Sequence, residues 1–222
     1  MAELMKPDDI EKRSFEIIQN ELELYGLSAD SRAKLLDPAL ASVVIRVVHT
    51  TADFEFAETL AFSDGAIDCA AAALRKGAVI VSDTNMVKAG VDKRRLNSFG
   101  SDVLCFIGDE DVAENARNSG ITRARAAADK AAAMGRPVIY AVGNAPTALM
   151  RICELHNSGL FTPEFVIGVP VGFVNAAESK ELLIESGIPH IAARGRKGGS
   201  NVAAAICNAL LRIAAPDCAG SQ

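Results

Sequence analysis

His49 closes an apolar run and stands directly before two hydroxyls and, after Ala52, a carboxylate, in "RVVHTTADFEF", residues 46–56. An imidazole with an ordinary pKa near ~6.5 gives or takes a proton close to neutrality, so His49 is a candidate general acid or base. A lone histidine at a helix end is more often structural than reactive, and on local chemistry both readings stay open. The other two histidines read as structural: His156 lies near the end of an Ala/Leu-rich helix, and His190 opens a strand, away from the end where such sheets bind ligands.

The second candidate is "ARGRKGGSNVAAA", the most basic short stretch of the chain. Arg194, Arg196 and Lys197 lead through Gly198, Gly199 and Ser200 into a helix N-terminus. Outward-pointing amides and the helix dipole favour an anion there, and a guanidinium can grip a carboxylate with two hydrogen bonds. A solvated loop with a serine cap is the plainer alternative. The order GxxxxGK[ST] is not met, and no GxGxxG follows an early strand. "GITRARAAADKAAA" places Arg123 and Arg125 in a first helical turn, where the dipole does not favour cations, so one of them is a binding candidate beside the simpler reading of a solvated pair. Arg13 and Ser14 in "KRSFEII" read on physics alone as part of an ordinary helix face. In "VIVSDTNMV", Asp83 and Asn85 either orient a ligand or, for Asp83, cap the next helix. There is no HExxH, no GxSxG and no Cys/His cluster of ligand spacing, which leaves metal-assisted and serine-type hydrolysis without support.

These groups need a scaffold. The chain has 222 residues, 50% hydrophobic and 23% charged, which suits one domain over residues 1–222 with a sizeable core. Aromatics make up 5% and tryptophan is absent, so that core is aliphatic. A net charge of -5 argues against a general nucleic-acid surface, which must neutralise phosphates, while leaving room for a local basic patch. Five cysteines are scattered without CxxC spacing, four of them inside apolar segments, as in a reducing cytoplasm. The first residues carry no apolar signal core and no segment approaches ~18 uninterrupted apolar residues, so neither export nor membrane insertion is expected.

The spacing of Ile10, Phe15, Ile17, Ile18, Leu22 and Leu24 predicts an amphipathic helix from Pro7 to Leu24, within an N-terminal helical segment 1–37, with Gly26 as its stop. "SVVIRVVH" fits a helix, but its β-branched content keeps a strand open. From there short apolar runs alternate with helices. The runs are "AVIVSD", "DVLCFIGD", "PVIYAVGN", "EFVIGVPVG" and "PHIAAR". This pattern predicts an α/β fold of three layers, a mostly parallel β-sheet with helices on both faces, whose ligand site lies at the carboxyl ends of the strands. Residues 215–222 read as a loose tail.

Taken in order, "RVVHTTADFEFAETLAFSDGA", "GAVIVSDTNMVKAG", "VGNAPTALMRICEL", "VIGVPVGFVNAAESKELL" and "RGRKGGSNVAAAICNALL" resemble the precorrin-8X methylmutase family, including its cobalt-precorrin-8 branch. The similarity runs from about residue 5 to about residue 214. The resemblance implies a cobalamin-pathway isomerase that moves a methyl group from C-11 to C-12 of a corrin precursor. The product is hydrogenobyrinate or its cobalt-containing counterpart, without redox change and with no cofactor or metal called for. It also implies a three-layer α/β fold and a homodimer with sites near the subunit interface. His49 matches the family's catalytic histidine and would protonate, or hydrogen-bond to, the ring C nitrogen. The acetate and propionate arms of the tetrapyrrole would meet Arg13, Ser14, Arg123, Arg194, Arg196, Lys197 and the amides of Gly198, Gly199 and Ser200. Two positions depart from the family pattern, Thr50 where alanine is usual and Ser82 where threonine is usual. A carrier that retains the corrinoid and hands it to the next enzyme is the alternative, and a phosphate-ligand enzyme using "RGRKGGS" as an anion nest is a weaker third.

Overall fold

Asp37 decides how the β-branched run folds. In the computed structural model, which describes residues 7–215, α1 (Pro7–Leu24) and α2 (Ala29–Leu36) precede α3 (Pro38–Thr51), and "SVVIRVVH" is helical within α3. The Asp37 carboxylate accepts from the amides of Ala39 and Leu40 at 2.8 and 3.2 Å, and Pro38 sits in the first turn, where its missing N–H costs nothing. Val43, Val44, Val47 and Val48 then form one buried stripe. Local capping and the burial period outweigh β-propensity here.

A short helix α4 (Phe56–Thr59) runs into β1 (Leu60–Phe62), and α5 (Ala66–Arg75) into β2 (Val79–Ser82). Next come α6 (Asn85–Gly90), α7 (Lys93–Ser98), β3 (Val103–Cys105), α8 (Glu110–Ser119) and α9 (Arg123–Ala132). The chain then alternates through β4 (Val138–Val142), α10 (Pro146–Asn157), β5 (Phe165–Gly168), α11 (Ala176–Glu185), β6 (His190–Ala193) and α12 (Ser200–Ala214).

The strands form one sheet in the order β1-β6-β5-β4-β2-β3. All neighbours are parallel except β1, which runs antiparallel to β6 with Leu60 opposite Ala193. The five parallel strands are the five expected from the apolar runs; β1 was not expected. It is three residues long, two of them only half-buried, and carries no β-branched side chain, so no period-2 signal marks it.

Alternate residues of each central strand feed two cores, as parallel strands buried on both faces must. Ile80, Ile139, Phe165, Ile167 and Ile191 pack with α5 and α12 on one side. Val81, Val138, Tyr140, Val142 and Val166 pack with α9 and α10 on the other. This is the three-layer α/β arrangement the sequence predicts. On the α12 side α3 packs against α12, and α1 and α2 pack against α3, so the N-terminal helices carry His49 to the sheet by way of α12.

Candidate active site at the carboxyl edge of the sheet

Strands β2, β4, β5 and β6 all end where α12 begins. Thr84 and Ser200 join hydroxyls at 2.9 Å across this edge, and a Cβ on Gly143 would lie 2.7 Å from Ser200 Cα, so β4 reaches the helix only because residue 143 is glycine. Asp83 is not the cap of the next helix: Thr84 caps α6 by accepting from the Val87 amide, and the buried Asp83 carboxylate accepts from the amides of Gly143, Asn144 and Ala145 at 2.7–2.9 Å. Burial pushes its carboxyl above the usual carboxylate range, and the three amides pull it part of the way back. The start of α10 is therefore already neutralised from within.

The basic loop is built differently. Lys197 bridges two carboxylates of the segment after α3, Asp53 at 2.6 Å and Glu55 at 2.8 Å. That pairing holds the Asp53 carboxyl below its ordinary range and the Lys197 ammonium above its own. Arg194 pairs with Glu181 of α11, and the Arg196 guanidinium lies over the Phe173 ring, 5.4 Å from its centroid. Beneath the loop, the fully buried Lys180 donates to the carbonyls of Gly195 and Lys197 at 2.8 and 2.7 Å. The Gly199 amide donates to the Val169 carbonyl at 2.9 Å, and a Cβ on Gly198 would lie 2.1 Å from that same oxygen.

His49 is exposed in the last turn of α3, its ring edge-on to Phe15 of α1 with centroids 5.2 Å apart. Thr50 and Thr51 turn their hydroxyls onto their own helix, to the carbonyls of Arg46 and Val47 at 2.8 Å. Asp53 faces Lys197, so the carboxylate next to His49 in sequence serves the basic loop. That ion pair ties the segment just after α3, four residues beyond His49, to the basic loop that carries Arg194, Arg196, Lys197, Gly198, Gly199 and Ser200. Arg13 and Ser14 flank Phe15 on α1, with Arg13 paired to Glu16 at 3.0 Å and the Ser14 hydroxyl donating to the Ile10 carbonyl at 2.8 Å. Arg123 is not brought to His49: it is exposed on the first turn of α9, in the opposite helical layer, with Thr122 tied to Thr147 of α10 at 2.9 Å. A groove of about 450 Å³ between α1, α2 and α3, lined by Leu22, Leu27, Leu35, Ala41 and Ile45 among others, includes none of the candidate residues. Sequence reasoning missed Lys180, Glu55 and Glu181. A lysine in a helix is normally a solvated residue, and nothing in "ESKELL" marks this one as buried.

A sequence profile described as precorrin-8X methylmutase matches residues 9–213. The chain belongs to the precorrin-8X methylmutase family. The cobalt-precorrin-8 methylmutase of Salmonella typhimurium is 45% identical over 212 residues, 95% of this chain and 97% of the relative. The precorrin-8X methylmutase of Pseudomonas aeruginosa is 38% identical over 203 residues, 90% of this chain and 93% of the relative. The crystal structure of a precorrin-8X methylmutase from Thermus thermophilus superposes with a TM-score of 0.81 at 38% identity, covering 93% of this chain and 96% of that one. Methylmutases are isomerases, so family membership also gives the enzyme class. Relatives of both the cobalt and the metal-free name are similar to this chain over nearly its full length. Of the two departures from the methylmutase family pattern, Thr50 is turned onto its own helix, and the Ser82 hydroxyl donates to the carbonyls of Thr84 and Leu104 at 3.1 and 3.2 Å; both are used internally.

Proposed function

We propose that the chain, acting as one domain, isomerises precorrin-8X to hydrogenobyrinate, or cobalt-precorrin-8 to cobyrinate, by moving the C-11 methyl group to C-12. The observation that carries this reading is the match of residues 9–213 to the methylmutase family, and it is supported by the Lys197–Asp53 ion pair that ties the basic loop to the segment following His49. His49 supplies a proton or a hydrogen bond to the ring C nitrogen. The adjoining carbon framework becomes more electron-poor, which lowers the barrier to methyl migration. Only one of several migrations is wanted, so the macrocycle must be held by its carboxylate arms. Arg194, Arg196, Lys197 and the amides of Gly198 and Ser200 hold it near the sheet edge, Arg13 and Ser14 from the side of α1, and Arg123 from the far layer. The Gly199 amide, a candidate in the sequence, is excluded because it is already bonded to the Val169 carbonyl.

The reading extends to a homodimer in the cytoplasm with the site near the subunit interface, and to transfer of the product to the following enzyme. Among the described residues no helix is long and apolar enough to cross a membrane. The pure carrier reading is not favoured, since the relatives are named for the isomerisation.

The test is visible-spectrum conversion of precorrin-8X or cobalt-precorrin-8 by purified protein. Conversion of neither substrate ends the proposal. His49→Ala is expected to lower kcat by about 10²–10⁴-fold, the usual range for a positioned acid, while product binding persists. Undiminished turnover in that variant removes His49 from the mechanism.

A further inference from the structure

Lys180 is the one residue at this edge whose cost is plain and whose use the mechanism above leaves open. It lies on α11 without solvent exposure, and among the described residues its ammonium is hydrogen-bonded to no carboxylate, only to the carbonyls of Gly195 and Lys197. Taking an ammonium out of water without a bonded carboxylate costs several kcal/mol, which the neighbouring Glu181 charge offsets only in part. Burial pushes the Lys180 ammonium down to about 8.

The geometry of the peptide group says what this arrangement achieves. No peptide bond in the described residues is cis. In a trans peptide the carbonyl and the N–H that follows it point in opposite directions. With the carbonyls of Gly195 and Lys197 turned onto Lys180, the amides of Arg196 and Gly198 point away from it. Neither amide has an acceptor among the described residues, whereas the next one, on Gly199, is taken by Val169. Arg196 is exposed and Gly198 is half-exposed, and both lie just ahead of the N-terminus of α12. Arg196 and Gly198 lie two residues apart, on either side of Lys197, and unpaired amides grouped ahead of a helix N-terminus favour an anion.

We propose that Lys180 is a positioning residue that orients the Arg196 and Gly198 amides as the seat for one carboxylate arm of the substrate. Lys180 touches no reacting atom; it acts through two carbonyls. This inference rests on the reading that the loop receives the carboxylates of a tetrapyrrole.

The experiment compares wild type with Lys180→Met in steady-state turnover of precorrin-8X and in visible-spectrum titration with hydrogenobyrinate. The expected result is a loss of kcat/KM expressed through KM, with KM and the product Kd both raised about tenfold or more, the worth of one charge-assisted contact. His49→Ala should give the reverse split. An unchanged KM, or a loss confined to kcat, overturns the proposal. A second measurement needs no variant: in ¹⁵N-labelled wild type, bound hydrogenobyrinate should shift the Arg196 and Gly198 amide resonances downfield and leave Gly199 in place. Unmoved Arg196 and Gly198 resonances in the bound protein overturn the proposal even where Lys180→Met does not fold. A wild type that neither binds nor converts the tetrapyrrole fails at the earlier step, and overturns the function as well as the seat.

Discussion

Two loops at the carboxyl edge of one sheet are each organised by a single buried charge, and the charges have opposite effects on the backbone. Between β2 and β4 the Asp83 carboxylate collects the three amides of Gly143, Asn144 and Ala145 that lead into α10, so none of the three is left for a ligand. Between β6 and α12 the Lys180 ammonium collects two carbonyls and leaves amides facing outward. A buried anion closes a potential anion site; a buried cation beneath the loop two strands away opens one. The sign of the charge beneath them distinguishes the two loops.

The sharpest way to break this contrast is Asp83→Ala. Three amides lose their acceptor, and an unsatisfied buried donor costs about 1–3 kcal/mol. Urea unfolding should show stability lower by about 3 kcal/mol or more. KM measured below the unfolding transition should rise far less than in Lys180→Met. A variant of normal stability and poor affinity would place Asp83 in the binding machinery and dissolve the distinction.

The next test uses pH. Lys180 has a folded-state pKa of about 8, below its ordinary 10.5. Between those values the unfolded chain binds the proton and the folded chain does not, so this residue makes stability rise with pH, by up to ~1.4 kcal/mol per unit. Below about 8 the penalty for the buried charge is fully present. The difference in unfolding free energy between wild type and Lys180→Met should therefore shift in favour of wild type from pH 7.5 to pH 9.5. Other titrating groups cancel in that difference. A flat difference would mean that the ammonium is effectively solvated and that nothing is spent on holding it.

Much of the scaffold is written in the sequence because it depends on local or periodic signals. Five apolar runs bounded by Gly, Asn and Asp mark the five parallel strands, and Gly26 marks a helix end. The edge strand β1 is invisible because antiparallel pairing to β6, not its own composition, makes Leu60–Phe62 a strand. The site was legible only as residue types. His49 and the "RGRKGGS" loop stand out as chemistry, but the ion pair that ties the loop to the segment after His49 joins Lys197 to Asp53, 144 positions away. Asp83 was readable as a cap of the next helix, but Thr84 takes that place, and Asp83 instead holds three amides of the loop after the neighbouring strand β4. Lys180 was not readable at all: its neighbours Ser179 and Leu183 are buried on the same helix, but a lysine in an amphipathic pattern is assigned to solvent by default.

The smallest expected effect lies within the basic loop itself. Lys197 bridges Asp53 and Glu55 with its side chain 44% exposed, so its charge is neutralised before any substrate arrives and is screened by salt. Lys197→Met should leave the thermal midpoint unchanged within error and raise KM by about threefold, the scale of one exposed ion pair. Part of that rise comes from two carboxylates left uncompensated beside an anionic ligand. The increment should shrink as salt is raised to about 0.5 M, where the Debye length is only a few Å. The Lys180→Met increment should persist at the same salt, because the bonds that orient the Arg196 and Gly198 amides are buried. Equal salt sensitivity in the two variants would mean that Lys180 acts as one more surface charge, and the carboxylate seat would have to be built by side chains alone.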